Sequence, residues 1–389
     1  MTTADSRRWK NKFRLWRNII LTILLVAAVY LAWCVSGRTP PEISPQMRLE
    51  EVLVLGQPSD RGNILGVQPF MEPSDYASED HFRLKLETYL KAAKDKEWLG
   101  PRTVVLYPEY IGAWLVAAGE KASIYTETKA EAAMTTLVLG NPLLFLRTLA
   151  QAPPVQDKVK YCLFRMKAER MARIYENVFS TLAGKYGLTI IAGSILLPSP
   201  DLRDGRLNLG SGPLYNVTAI FGPDGKIIAP LVKKAFPISD ELPFLAPGRV
   251  EEIPVFDLAI GRTGVLICAD SWYPPGYEVL ARQGVKIIVV PSFLTSDGAM
   301  KRKWPGYNGA PAPADVDRAD QGVITEAQAW LKYSLAQRIK STSAAAGLNV
   351  FLKGRLWDLG ADGFAIAVRE GQVTTGRETS GASLICLWL

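Results

Sequence analysis

A chain of 389 residues, 48% of them apolar and 21% charged, can bury a large core, which excludes a disordered or fibrous protein. Its formal charge of +7 is local: residues 1–18 hold Arg7, Arg8, Lys10, Lys12, Arg14 and Arg17 against Asp5, a surplus of five that leaves +2 elsewhere. A nearly neutral main body without interleaved basic and aromatic runs argues against a phosphate-tracking surface, so no nucleic-acid partner is expected.

Residues 19–35, IILTILLVAAVYLAWCV, form an apolar run in which Thr22 is the one clearly polar member. As a helix the run spans ~26 Å, close to the ~30 Å hydrocarbon core, with Trp16 and Trp33 where interfacial aromatic residues sit. Six basic residues precede it and only Arg38 closely follows. The charge rule therefore makes residues 1–18 a basic cytoplasmic tail, 19–36 a single transmembrane helix, and the rest exoplasmic, in the periplasm or outside the cell. A cleaved signal peptide shares this pattern, but the run is long for that role and no A-x-A site follows. Trp33 stands where lipoprotein processing before Cys34 would need a small residue.

A linker over residues 37–46 leads into alternating strands and helices from 47 to 389, the pattern of one α/β domain. LEEVLVLGQ and NILGVQPFM read as strands. His81, the only histidine, follows in DHFRLKLETYL, where Phe82, Leu86, Tyr89, Leu90 and Ala93 recur at helical spacing and leave it a surface position. RTVVLYPEY is a strand apolar enough to be buried on both faces. Further on, residues 165–184 read as a helix, LTIIAGSIL as a strand, and YNVTAIFGPDGKIIAPLV as a hairpin turning at Pro223-Asp224-Gly225. GRTGVLICADSW is a strand ending near Cys268, followed by a helix over 276–283, the buried strand KIIVVPS, a long helix over 324–346 and three closing strands. Two segments interrupt this order. Residues 114–164 carry the apolar MTTLVLGNPLLFLRTLAQAPP, readable as a core hairpin or as an arm on the membrane. Residues 297–323 form a Pro- and Gly-rich loop, a surface excursion or a lid.

The four cysteines, Cys34, Cys162, Cys268 and Cys386, show no C-x-x-C spacing, so neither a metal nor a cofactor is expected, and a Cys162 to Cys386 bridge stays open. With its one histidine on a helix, the chain cannot build a Ser-His-Asp triad or a Cys-His pair. Cys268 nevertheless stands where the buried run GVLIC meets a loop, the strand end at which open α/β sheets place ligands. Glu109 ends VVLYPE in the same way, and a carboxylate there needs a partner. Lys233 follows the second hairpin strand. A strand-end carboxylate can serve a thiol as base, and a lysine can stabilise the thiolate and the oxyanion formed on attack.

These segments, in this order, resemble the Glu, Lys and Cys motifs of the nitrilase, or carbon–nitrogen hydrolase, superfamily. LYPE resembles the strand ending in Pro-Glu, YNVTAIFGPDGKIIAPLVKKAFP the hairpin and its lysine, and GVLICADSWYPPGYEVLARQGVKIIVVPS the cysteine segment. Lys233 is preferred because Glu241 lies eight residues beyond it, the spacing of a second glutamate in several branches; Lys234 is a one-residue alternative. The resemblance implies a four-layer αββα sandwich behind the membrane helix, with Cys268 as nucleophile, Glu109 as base, Lys233 as oxyanion partner and Glu241 as a positioning carboxylate. Tyr110, Ala269, Asp270 and Trp272 flank these residues as expected substrate contacts. Where an aromatic residue and then an acid often follow the cysteine, Ala269 and Asp270 follow here, so Ala269 departs from the pattern, and the Glu109 to Lys233 interval is stretched by the insertion. The implied function is hydrolysis of an amide or nitrile C–N bond through a thioester. Two alternatives remain: N-acyl transfer from a membrane lipid, as in the distantly similar apolipoprotein N-acyltransferases, and a non-catalytic binding module. The partners implied are a small amide or lipid-linked substrate and the membrane, with a homodimer left open.

Overall fold

The computed structural model describes residues 3–389, and the side chains of residue 9 and of residues 11–389. The chain begins with α1 (Thr3–Val35), one unbroken helix ~50 Å long, so the basic tail and the apolar run form a single element rather than tail plus helix. Leu21, Leu24, Leu25 and Val26 on its apolar part are all exposed.

Two sheets face each other in the remainder. The strands of the larger are β1 (Leu49–Leu55), β2 (Asn63–Gln68), β3 (Thr103–Leu106), β4 (Thr189–Ile191), β5 (Ile195–Pro198), β6 (Leu214–Phe221), β7 (Ile227–Lys233) and, from the far end of the chain, Ala382–Trp388. The smaller contains β8 (Val255–Leu258), β9 (Gly261–Val265), β10 (Ile287–Ser292), β11 (Ala346–Phe351), β12 (Ile366–Arg369) and β13 (Gln372–Thr375). With Ala382–Trp388 as β14, the first sheet runs β1-β14-β2-β3-β4-β6-β7, with β5 also on β6, and the second runs β8 to β13 in sequence order.

Both faces of the central strands are buried, which explains their nearly continuous apolar sequence. Along β2 and β3, Leu65, Val67 and Val105 pack toward the outer helices while Ile64, Val104 and Leu106 fill the space between the sheets. Gly66 faces across that space so closely that a Cβ there would lie 2.7 Å from Leu348 and 2.8 Å from Val350. The helices α2 (Glu79–Asp95) and, beyond the insertion, Lys158–Tyr186 cover the larger sheet, completing an αββα sandwich with the helices over the smaller one.

The insertion holds α3 (Ala122–Thr126), α4 (Ala130–Leu139) and α5 (Pro142–Ala150), with α4 and α5 bent by 90° at Gly140-Asn141. It is not a core hairpin, because Leu139, Leu143, Leu144 and Leu146 are exposed. The covering helix Lys158–Tyr186 is α6, and α7 (Pro274–Arg282), α8 (Glu326–Tyr333) and α9 (Leu335–Arg338) follow.

Three expectations change. The long helix over 324–346 is two short ones, broken at Ser334, whose backbone (φ −117°, ψ −148°) leaves the helical region; β11 already begins at Ala346. His81 is buried rather than on the surface, its ring held by Ser78 Oγ at 2.8 Å and the Pro41 carbonyl at 2.9 Å, so it ties the linker to α2. Cys162 and Cys386 are both free and buried, Cys386 accepting from Asn63 Nδ2 at 3.1 Å.

Candidate active site

β3 lies parallel between β2 and β4, and β9 lies parallel to β10 in the facing sheet, so the loops after β3 and β9 can meet at one edge of the sandwich. Glu109 comes three residues after β3 and Cys268 three after β9. β6 runs antiparallel to β4 and to β7, which brings the start of β6 and the end of β7 to the same edge.

The lysine that arrives there is Lys234. Its Nζ donates to Glu109 Oε1 at 2.8 Å and to Glu241 Oε2 at 2.6 Å. The expected Lys233 ends β7 opposite Val217, with its ammonium 4.9 Å from the centre of the Tyr215 ring. Successive strand side chains point to opposite faces, and Val232 packs between the sheets, so Lys234 rather than Lys233 shares its face. The correction is one residue, and Glu241 follows Lys234 by seven positions.

Glu109, Lys234 and Glu241 are each only 2–3% exposed, so their charges persist only if every polar atom is engaged. Glu109 Oε1 also accepts from Asn216 Nδ2 at 2.8 Å, and its Oε2 from the Phe293 N–H at 3.1 Å. Glu241 accepts from the Tyr110 hydroxyl at 2.8 Å, Asn216 Nδ2 at 3.1 Å and the Ile238 N–H at 2.9 Å. Asn216 thus bridges the two carboxylates. The sequence places this asparagine in the hairpin that resembles the family's but gives it no role, although an amide inside a buried strand is a signal in itself. Tyr110 holds the network instead of lining the cleft.

Burial and neighbouring charges together set the protonation states. It pushes the Glu109 carboxyl above its ordinary range, with Glu241 adding to the effect and Lys234 opposing it. Burial alone would lower Lys234, but the two carboxylates hold it well above its usual value, so it stays a cation. Burial and the neighbouring Glu109 charge push the Cys268 thiol well up, against Lys234, and the resting group is a thiol beside a potential base.

Cys268 opens a 3-10 turn, Cys268–Trp272, with φ at +49°, a left-handed conformation that a non-glycine residue adopts at a cost of ~1 kcal/mol or more. Asp270 in that turn is buried and does not line the cleft. Its oxygens accept from the Ala235, Phe236 and Ile267 N–H groups at 3.0, 2.8 and 3.1 Å, clamping the chain just after Lys234 to the cysteine turn. Its expected substrate contact is replaced by this brace. Ala269 and Trp272 do line the cleft, a space of about 320 Å³ that also meets Cys268, Phe293, Trp304 and Trp330. Much of one wall comes from the 297–323 loop, which lies over the site: Tyr307 donates to the Trp272 carbonyl at 2.9 Å and its ring packs on Tyr273.

Residues 172–313 match the carbon-nitrogen hydrolase family model, a span that takes in Lys234, Glu241 and Cys268. The matched span is less than half of the chain, and it likens that region to the carbon–nitrogen hydrolase superfamily. Omega-amidase NIT2 of Danio rerio is 25% identical to it over 191 residues, 47% of this chain and 60% of that protein. The probable hydrolase YhcX of Bacillus subtilis is 30% identical over 130 residues, 32% of this chain and 21% of that protein. The chain therefore spans 60% or less of these curated relatives. Among solved structures, an alanine mutant of the Nesterenkonia AN1 amidase from the nitrilase superfamily aligns with a TM-score of 0.50 at 12% identity, covering 85% of this chain and 92% of that one. That likeness shows the fold alone, a nitrilase-like sandwich.

Proposed function

We propose that this chain is a membrane-anchored carbon–nitrogen hydrolase, an amidase cleaving an amide-type C–N bond through a thioester on Cys268. The observation that carries the reading is the buried Glu109–Lys234–Glu241 network beside a raised-pKa thiol in an aromatic cleft. Relatives named as omega-amidase and amidase support the reaction class.

Glu109 takes the thiol proton as sulfur bonds to the carbonyl carbon. The oxyanion that forms is met by the Lys234 ammonium and the Ala269 N–H. The C–N bond then breaks, Glu109 returns the proton to nitrogen, and ammonia or an amine leaves a thioester. Water gives a proton to Glu109 and attacks the thioester. Collapse releases the acid, and the sulfur regains the proton. Glu241 and Asn216 hold Lys234 and Glu109 in place throughout. Reading α1 as a span with its basic end in the cytoplasm puts this chemistry on the exoplasmic side.

Purified full-length protein incubated with simple amides should release ammonia, and Cys268→Ala should abolish that release; unchanged release by the variant would overturn the assignment. The exposed apolar insertion next to the anchor favours a second reading, in which a phospholipid acylates Cys268 and an amine accepts the acyl group. Mass spectrometry after incubation with phospholipid decides it: an acyl mass on the Cys268 peptide supports transfer, and its absence during amide turnover leaves hydrolysis.

A further inference from the structure

The bent pair α4–α5 sits against the last turns of α1. The Tyr30 hydroxyl donates to the Leu139 carbonyl at 2.7 Å, and Cys34 Sγ approaches the same oxygen at 3.6 Å. Tyr30 and Cys34 precede the end of α1 by five residues and one, so the bend lies beside the last turn or so of the apolar helix, ~2–7 Å inside its end, rather than beyond it. At that level α5 turns Leu143, Leu146 and Leu149 outward, 73%, 59% and 37% exposed, with Leu139 at the end of α4 beside them. Water would leave this face costly; lipid would not.

The polar side of the bend gives a second, independent sign. A helix break at membrane depth is tolerated only when protein groups satisfy its freed carbonyls. Here Arg38 Nη2 donates to the Gly140 carbonyl at 2.7 Å and Asn141 Nδ2 to the Leu137 carbonyl at 2.7 Å, while the Leu139 carbonyl has Tyr30. Asn141 is held in turn by Glu120 at 2.8 Å and Lys167 at 2.9 Å. Arg147 is exposed among the leucines, with Lys158 and Lys160 close beyond α5 in sequence, and such groups can reach lipid phosphates from an apolar face.

We propose that the α4–α5 elbow is a second membrane-inserting element, its leucine face entering the leaflet that surrounds the C-terminal half of α1. The proposal rests on reading α1 as a membrane span. Leu146→Cys, Leu24→Cys in α1 and Val373→Cys on β13 would each be made in the full chain and labelled with an environment-sensitive fluorophore. Cys268 lines the cleft and is replaced by alanine in all three variants; the other three native cysteines are buried, so the introduced thiol reacts preferentially. In vesicles of phosphatidylcholine and phosphatidylglycerol with brominated acyl chains, the labels from Leu146→Cys and Leu24→Cys should both shift to the blue and lose roughly half their emission, with the Val373→Cys label unaffected. Quenching of the Leu24→Cys label but not of the Leu146→Cys label, which instead responds to aqueous iodide, overturns the elbow and leaves the anchor standing. Quenching of neither removes the anchor reading and this proposal together. A Leu146→Cys label shielded from both quenchers, with the protein at twice its monomer mass, assigns the face to a second copy and also overturns the proposal.

Discussion

Lys234 has no charge-neutral alternative in its setting: two buried carboxylates within 2.8 Å of its ammonium leave the cluster at one net negative charge, and removing the cation would leave two facing anions. Lys234→Ala should therefore lower kcat/KM by ~100–1,000-fold, the scale for loss of an oxyanion partner, and should also lower the melting temperature. Lys233→Ala should leave kcat/KM within about twofold, since that side chain lies over Tyr215. Steady-state kinetics on the two variants checks the assignment, and a larger loss at Lys233 would reverse it. The choice was within reach of the sequence, because the parity of Val232 in an alternating strand selects Lys234, whereas spacing to Glu241 selected its neighbour. Glu109 and Cys268 were legible because each closely follows a buried strand. Asp270 was not, because nothing in the segment CADSW distinguishes a carboxylate facing substrate from one turned back to cap three N–H groups.

Among the elements, α8 sets helix polarity against burial. Glu326 opens it after the Thr325 cap, where a helix N-terminus favours a carboxylate, yet burial pushes its pKa up to about 7. The folded state then binds a proton more tightly than the unfolded chain. The associated stability is complete below the usual glutamate range near 4.5 and is lost as pH rises through about 7. Glu326→Gln removes that ionisation cost. The variant should melt near the wild type at pH ~5 and be more stable by about 1–3 kcal/mol at pH ~8. Thermal melts at the two pH values check this, and an equal shift at both would point to packing instead. The sequence carried most elements of this size through period and turn chemistry, as in the 222–226 hairpin turn. It failed at Ser334, where helix-forming residues on both sides are overruled by the close packing of α8 and α9 on the smaller sheet.

At the scale of the whole molecule, α1 is fixed to the catalytic domain rather than loosely tethered. Arg38, just beyond the helix, pairs at 3.0 Å with Glu120, a fully buried carboxylate that also holds Lys167 on α6 and Asn141 in the elbow. Glu120 lies eleven residues after Glu109, and Lys121 donates to the Trp33 and Ser36 carbonyls, so one short segment runs from the site to the end of α1. On the other side of the elbow, Asp157 donates its N–H to the Pro243 carbonyl at 2.9 Å and Phe164 stacks on Phe244, just past Glu241. The sequence shows the apolar run and the domain, but not this junction, because its charged members lie 129 residues apart between Arg38 and Lys167 and meet only in the fold. Glu120→Ala leaves Lys167 and Arg38 without their shared carboxylate in a buried site, and such a loss costs ~3–5 kcal/mol. The variant should melt several degrees lower, and amide hydrogen exchange should rise first in the 137–142 segment rather than in the sheets. Uniform exchange across the sandwich, or an unchanged melting temperature in detergent and in vesicles, would show instead that helix and domain are joined only by the chain between them.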